Sequence, residues 1–277
     1  MRTLLVGFLS VTSVVFSCVG CQPSEISDPT RIEKYTELSP AILEVKSLGR
    51  LSPIGFPSTQ IKKVSWGELH KRRTQSATHK QSVIVAGESP EREVFLVQPV
   101  ERTKMNISNN ERDDACPSIS SDGKRIVFVS NRDGNSAEVY LVDLEDRTLT
   151  NISNSPIWDG EPTISSDGDR IAFVTMGPAE GAAESIVVQV LDVPTQRLLR
   201  IPFPTQSQSG SASAYYAQIS PDGRKVRFQE HLPVFSVSGL EVLGHSVGSP
   251  RVSRLKGELY EADLDLLDSP KGTDSAR

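Results

Sequence analysis

The chain has 277 residues, with 30 lysines and arginines against 35 aspartates and glutamates, and a formal net charge of −5. Such an acidic chain lacks the overall basic character of nucleic-acid-binding proteins, so no nucleic-acid partner is expected. Its four histidines and three cysteines show no zinc-ligand spacing, and neither a metal nor a cofactor is predicted.

Residues 1–20 have the pattern of an export signal. Arg2 precedes an apolar run from Leu4 to Phe16, which is shorter than the roughly 20 residues of a membrane-spanning helix. The small residues Val19 and Gly20 stand directly before Cys21 and resemble a bacterial lipobox. Cys21 is therefore the predicted lipidation site and mature N-terminus.

The signal departs from the usual lipobox at one position. Cys18 stands where lipoproteins usually carry leucine, so conventional cleavage near Gly20, giving a soluble periplasmic or secreted chain, is the alternative. Gln22, rather than aspartate, follows Cys21, and this favours the outer membrane for an anchored chain. We expect an exported, lipid-anchored protein that faces the periplasm.

Residues 21–80 are predicted to form a polar linker or arm. Short β-prone runs are interrupted by Pro53, Gly55 and Pro57, so a degenerate blade is the alternative. Basic residues gather between Lys62 and Lys80, where a solvated loop is expected and contact with acidic headgroups or cell-wall polymer is the alternative.

Residues 81–267 repeat with a period of 45. EVFLV at Glu93 returns at Glu138 as EVYLV, NIS at Asn106 returns at Asn151, and SSDG at Ser120 returns at Ser165. A looser copy, ISPDGRKVRF, begins at Ile219 and carries a longer insertion after it. A fixed period of this length indicates a repeat fold.

Each unit reads as four short strands joined by tight turns. In the clearest unit these are Pro117–Ser120, Ile126–Ser130, Val139–Val142 and Thr148–Ile152. The predicted fold is all-β, a β-propeller of four-stranded antiparallel blades. The repeats are too few for six blades, so about four or five blades, or an incomplete ring, are expected. Residues 268–277 are predicted to be a disordered tail.

The S-x-D-G segments are predicted to be turns rather than a paired-carboxylate site. Aspartate can accept hydrogen bonds from nearby backbone N–H groups, and glycine can take the positive φ of a tight turn. The residues concerned are Asp122, Gly123, Asp167, Gly168, Asp222 and Gly223.

Three further motifs receive structural interpretations. Gly244–Gly248 fits a G-x-S-x-G elbow, but no histidine follows Ser246, so no catalytic residue is predicted. Asn106 and Asn151 fit glycosylation acceptors, yet they recur with the repeat and are interpreted as blade landmarks. Cys116 is predicted to be a loop thiol, with an intermolecular disulfide or a metal contact as the alternatives.

Connections between blades are the predicted place for function, because propellers build binding faces from such loops. The candidate partner face includes Asp114, Trp158 and Asp159.

The segments PSISSDGKRIVFVSNRDG, EVYLVDL and LTNIS resemble the WD40-like repeats of the TolB-type β-propeller family. That resemblance implies an envelope protein that binds other proteins, among them a peptidoglycan-associated lipoprotein, through one face. This chain departs from the family by lacking room for its separate α/β domain and by its lipoprotein-like signal.

The resulting expectation is a non-enzymatic binding or scaffold module with unidentified envelope-protein partners. The alternatives are a ligand- or calcium-binding sensor or accessory propeller, and an inactive remnant of a propeller-bearing hydrolase.

Overall fold

The computed structural model describes residues 34–41, 43–64, 81–134, 136–178, 184–202, 214–236 and 251–264. The predicted signal, Cys21, Ser246 and the predicted tail lie outside these ranges. Four short strands come first: β1 (Thr36–Leu38), β2 (Glu44–Ser47), β3 (Ile54–Gly55) and, after a 3-10 turn at Ser58–Gln60, β4 (Ile61–Val64). The longer series that follows is β5 (Ser82–Ala86), β6 (Glu93–Gln98), β7 (Thr103–Asn106), β8 (Asp114–Ile119), β9 (Arg125–Ser130), β10 (Glu138–Asp143), β11 (Thr148–Asn151), β12 (Trp158–Ile164), β13 (Arg170–Pro178), β14 (Glu184–Asp192), β15 (Arg197–Pro202), β16 (Ala214–Ile219), β17 (Lys225–Ser236) and β18 (Arg251–Asp263).

The described strands form four sheets, which we number along the chain. Sheet 1 has the order β1-β7-β6-β5, sheet 2 β2-β11-β10-β9-β8, sheet 3 β12-β13-β14-β15-β3, and sheet 4 β16-β17-β18-β4. Sheets 2 and 3 each contain four consecutive antiparallel strands, which confirms the predicted all-β blades. In sheet 1, β5 holds the place of a second strand, because Val85 pairs with Val94 as Val129 pairs with Val139.

Apolar cores lie between successive sheets. Because neighbouring side chains of a strand point to opposite faces, Phe128 enters the core between sheets 1 and 2, and Val127 enters the core between sheets 2 and 3. Ala172 and Val174 of sheet 3 meet Phe228 of sheet 4 in a third core. Sheets 1 and 4 make no extensive contact in the described part of the chain, where the four blades form an open arc.

The N-terminal strap, residues 36–64, runs along the outer edges of all four sheets. β1, β2 and β3 pair in parallel with β7, β11 and β15, and β4 pairs antiparallel with β18. The strap therefore adds a fifth strand to sheets 2 and 3 and supplies the outer strand of sheet 4. Its parallel pairings depart from a purely antiparallel blade and are only two to four residues long.

Apolar side chains of the strap pack at each inter-blade core. Leu43 packs against the core between sheets 1 and 2, Leu48 and Leu51 against the next, and Ile61 against the third. Phe56 belongs to that third core, is 5% exposed, and donates its N–H to the carbonyl of Arg200 at 2.9 Å. The strap thus holds neighbouring blades together through contacts distant in sequence.

The S-D-G turns lie at one end of the arc and are bonded to each other. In the first turn, Asp122 Oδ1 accepts the hydroxyl of Ser120 and the N–H of Lys124, the latter at 3.0 Å. Burial alone would raise the pKa of Asp122, but these hydrogen bonds lower it overall. Across the blades, the N–H of Ser121 donates to the carbonyl of Ser166 at 2.8 Å, and that of Ser166 donates to Pro221 at 2.9 Å. These carboxylates organise backbone at a blade junction.

One arginine from sheet 2 and one from sheet 3 reach the S-D-G turn of the next sheet. Arg125 Nε contacts Asp143 of its own blade at 3.0 Å, and its Nη1 contacts Asp169 at 2.7 Å and the carbonyl of Gly168 at 3.1 Å. Arg170 Nη1 donates likewise to the carbonyl of Gly223 at 3.0 Å. Gly168 has a φ of +77°, and a Cβ there would lie 2.9 Å from Arg125 Cδ. Glycine is therefore required both for backbone conformation and for this approach.

The series of apolar faces changes at sheet 4. The positions held by Val127 and Val129 in sheet 2, and by Ala172 and Val174 in sheet 3, are polar in sheet 4, where they are Arg227 and Gln229. Arg227 Nε pairs with Glu261 at 2.7 Å. The two side chains are 15% and 12% exposed, so sheet 4 has a largely buried ion pair on the face where sheets 2 and 3 have apolar side chains.

The substitution Gly168→Ala tests the junction between turns. It is expected to lower the free energy of unfolding by about 2 to 3 kcal/mol, because the methyl group adds a clash with Arg125 to the cost of positive φ. Gly134→Ala is the matched control, since Gly134 has a φ of +79° but no neighbouring atom within 4 Å of the position that a Cβ would take. The control should lose only about 1 kcal/mol in urea denaturation, and equal losses would contradict the proposed contact.

The substitution Phe56→Ala tests the strap. Removing a buried aromatic side chain from the core between sheets 3 and 4 should lower the free energy of unfolding by about 3 to 5 kcal/mol. Ile54→Ala provides the comparison, because Ile54 lies in the same strap and is 40% exposed. Its loss should stay below about 1 kcal/mol. Similar denaturation curves for the two variants would show that the strap does not stabilise the arc.

Candidate functional site

The inter-blade face is the end of the arc opposite the S-D-G turns, where the β7–β8 and β11–β12 connections and the β9–β10 hairpin lie. Both connections start with the same cap: Asn106 Oδ1 accepts the N–H of Asn109, and Asn151 Oδ1 accepts that of Asn154, each at 2.9 Å. Asn109 and Asn154 have φ values of 40° and 39°. The N-I-S segments are therefore loop caps within the repeat.

Buried hydroxyls and carboxylates tie these connections to the sheets. The Ser108 hydroxyl donates to Glu93 and accepts the N–H of Val94 at 2.9 Å, while Glu93 Oε1 accepts the N–H of Asn110 at 3.0 Å. In the next unit, Ser153 Oγ accepts the N–H of Val139 at 3.0 Å. Each connection is thus fixed at its start and along its path.

The amide of Asn151 completes the second of these networks. It donates to Glu138, and only 7% of Asn151 is exposed. This burial makes Asn151 a poor glycosylation acceptor and is consistent with its role as a loop cap.

Asp114 begins β8 as a buried acid that has a cation beside it. It is 0% exposed, and its carboxylate accepts the amide of Asn110 and lies 3.5 Å from Nη2 of Arg132. Burial raises the pKa of Asp114, against the opposing effects of the Ser130 hydroxyl and the Arg132 charge. The carboxylate is thus held under the face with its counterion.

Arg132 is fixed in place by its own contacts. Its guanidinium carbon lies 4.9 Å from the Tyr140 ring centre and 5.3 Å from that of Phe128. Its Nε donates to Ser130 Oγ at 3.0 Å, and its Nη2 donates to the carbonyl of Ser108 at 3.2 Å. Aromatic faces and hydrogen bonds of this kind hold a guanidinium ion well.

Asp159 is the corresponding acid in β12. It is 0% exposed, its Oδ1 accepts the Thr175 hydroxyl at 2.5 Å, and that hydroxyl accepts Nε2 of Gln189 at 2.7 Å. Burial raises the pKa of Asp159 to about 7, with a further increase from Glu138, against the opposing effects of the Thr175 and Ser153 hydroxyls. The site is electrostatically unlike that of Asp114.

Trp158 and Glu161 lie beside Asp159 in β12. Trp158 is half-buried against the core between sheets 3 and 4 and against the cluster of Cys116, Val129 and Ala137. Burial raises the pKa of Glu161 to about 7.

The predicted partner-face residues are brought to one end of the arc, but at a greater depth than expected. Asp114, Trp158 and Asp159 belong to strands rather than loops, and both acids are fully buried. They support the face from below, whereas Asn109, Glu111, Arg112 and Pro156 are exposed on it.

Cys116 differs from the prediction of a loop thiol. It lies in β8 at an irregularity in the pairing with β9, and its φ is 52°. The residue is 8% exposed.

Several residues of the face were not predicted as site residues. They are Glu93, Ser108, Ser130, Arg132, Glu138, Ser153 and Thr175. The repeat contained the necessary signal, because Glu93 and Glu138, like Ser108 and Ser153, are 45 positions apart.

Metal-binding clusters and membrane-spanning helices are both absent from the described ranges. No group of three or more His, Cys, Asp or Glu side chains there could hold a metal ion. No helix in the same ranges is long and apolar enough to cross a membrane.

Comparisons with known proteins give similarity only at the level of solved structures. No protein-family model matches the chain, and no curated protein matches it. TolB from Acinetobacter baumannii is 17% identical with a TM-score of 0.41, and the match covers 65% of this chain and 40% of that one. A putative TolB from Agrobacterium tumefaciens is 20% identical with a TM-score of 0.45, covering 67% of this chain and 58% of the other. The tricorn protease is 15% identical with a TM-score of 0.45, covering 73% and 19% respectively. The chain thus spans less than two thirds of each of these proteins.

Proposed function

We propose that this chain is an exported β-propeller lipoprotein of the cell envelope, held by lipid at Cys21, which binds partner proteins through its inter-blade face. It works without catalysis, as an interaction or scaffold module. The N-terminal anchor places it at the membrane, most simply the outer membrane on its periplasmic side.

Preorganisation of the inter-blade connections is the observation that supports this proposal. Each connection has an asparagine cap and a serine bonded to the sheet, and each leads into a buried aspartate. Loops held in one conformation lose little conformational entropy when a partner binds. The same networks leave polar and charged groups exposed above them, as expected of a protein-binding rim.

Roles of the repeated carboxylates support a binding module over an enzyme. Asp122, Asp167 and Asp222 accept backbone N–H groups in successive turns, at the end of the arc opposite the inter-blade face. A general acid and a general base need environments that push their pKa values apart, and these three carboxylates have similar environments.

Charge reversal on the two ends of the arc tests the proposed face. Glu111→Arg alters an exposed residue of the β7–β8 connection, and Asp146→Arg makes the same charge change in the β10–β11 turn at the other end. With purified full-length mature protein as bait in envelope extract, Glu111→Arg should reduce recovery of the captured proteins at least about tenfold. Asp146→Arg should match the unaltered protein, and equal recovery with all three baits would refute the assignment of the face.

Lipid attachment is tested at Cys21. Cells expressing the chain should incorporate radiolabelled palmitate into it, and Cys21→Ala should abolish the label, because the cysteine sulfur carries the lipid. Cys116→Ala is the control and should keep the label. Label that is absent from the unaltered chain, or that persists in Cys21→Ala, would remove the anchor from the proposal.

A further inference from the structure

Two acid sites of the inter-blade face are repeats of each other. Asp114 and Asp159 are 45 positions apart and both are 0% exposed. Ser130 and Thr175, also 45 apart, supply the hydroxyl neighbour in each site. The two blades therefore place a carboxyl group at the same repeat position, with a hydroxyl group beside it. Any difference between the two sites comes from the other neighbouring residues.

The second blade supplies a cation, Arg132, beside its buried acid, and the third blade has no arginine at the corresponding position. Arg132 lies 3.5 Å from Asp114, whereas the residue 45 positions after Arg132 is Gly177. The aromatic support changes as well. Tyr140 pairs with Phe128 in sheet 2, and the residue that pairs with Phe173 at the same place in sheet 3 is Gln189. At these two repeat positions the third blade therefore has neither a guanidinium nor the second of the two rings.

The electrostatic consequence falls on Asp159. One carboxylate oxygen of each acid, Asp114 Oδ1 and Asp159 Oδ2, is buried without a hydrogen-bond partner. Asp114 has Arg132 at 3.5 Å, whereas no ion pair of Asp159 occurs among the described residues. The charge of Glu138 also opposes ionisation of this carboxyl. A buried carboxylate without a counterion is costly, and an incoming cation would remove that cost.

We propose that the Asp159 site receives the guanidinium or ammonium group of a basic side chain from a partner protein, in the place that Arg132 takes in the preceding blade. This inference rests on the proposed function, because the inter-blade face is the route by which such a side chain enters. Arginine is the better fit, since its planar donors match a carboxylate and tolerate partial burial. In the second blade the corresponding arginine side chain is itself only 14% exposed.

The test uses the full-length mature chain and the peptide acetyl-Gly-Arg-Gly-amide as the probe. Its citrulline analogue has nearly the same shape without the charge. Isothermal titration calorimetry should show binding of the arginine peptide, with at least about tenfold weaker binding of the citrulline peptide. Asp159→Asn should weaken arginine-peptide binding by a similar factor, as expected for loss of a hydrogen bond to a charged group.

Two further variants keep the test decisive. Asp114→Asn is the matched control, because that acid has its counterion within the chain, and it should leave peptide affinity within about twofold. Gly177→Arg supplies the missing cation internally and should weaken peptide binding at least about tenfold while raising the melting temperature. Circular dichroism of each variant establishes that it folds, and the Gly177→Arg result decides the matter if Asp159→Asn does not fold.

Three outcomes would overturn the inference. These are equal binding of the two peptides, binding unchanged by both Asp159→Asn and Gly177→Arg, or a calcium-dependent rise in melting temperature that Asp159→Asn abolishes, since the last would assign the site to a metal ion. Face-specific capture of envelope proteins that persists under any of these outcomes leaves the proposed function standing. Loss of face specificity in the capture experiment, with Asp159-dependent peptide binding retained, would refute the proposed function and leave the inference about Asp159 standing.

Discussion

Each middle blade of this protein has two apolar faces, and the rest of the structure depends on covering both. The alternation along β9 sends Phe128 to one neighbour and Val127 to the other, and β13 does the same with Phe173 and Val174. A single sheet of this kind would expose a large apolar area on at least one side. Blades are therefore stable only as a series, and each end of the series requires a different solution.

The strap and the S-D-G turns hold the blades together at two different places. At the outer edge, Leu43, Leu48 and Phe56 fill successive inter-blade grooves from one continuous segment. At the end that carries the S-D-G turns, Arg125 bridges sheet 2 to sheet 3 and Arg170 bridges sheet 3 to sheet 4. In a closed ring, packing of the last blade on the first restrains every junction. The described arc has these two sets of contacts instead, and the ion pair of Arg227 with Glu261 marks its polar end.

The sequence was sufficient where a feature depends on nearby residues. Strand positions in the clearest unit follow from the alternation around Ile126 and Val139, and the predicted strand ends lie within three residues of those observed. The strap could not be predicted in the same way. Strands such as Ile54–Gly55 have no periodicity of their own and exist only as pairings with strands far along the chain.

The burial of the site residues could not be predicted from the local sequence pattern either. Asp114 and Asp159 follow polar loops, which suggested exposure, yet both carboxyl groups lie under the face because the connections fold back over them through Asn110 and Ser153. Burial of this kind depends on a side chain 4 to 6 positions away and on strands from the same blade. The period of 45 did contain the information, since residues that recur with the aspartates are those that surround them.

Differences between repeats carry more functional information than the repeated residues do. A residue shared by every unit, such as the aspartate of S-x-D-G, is explained by a requirement that every blade has in common. Where one unit retains a buried acid and loses its counterion, as at Asp159 and Gly177, that common requirement no longer explains the acid. Retaining such a group without a ligand would lower stability, because a neutral or apolar side chain would fit the interior at a smaller cost. The departure of the third blade from the second therefore directs the search for a partner to the basic side chains that could restore the missing charge.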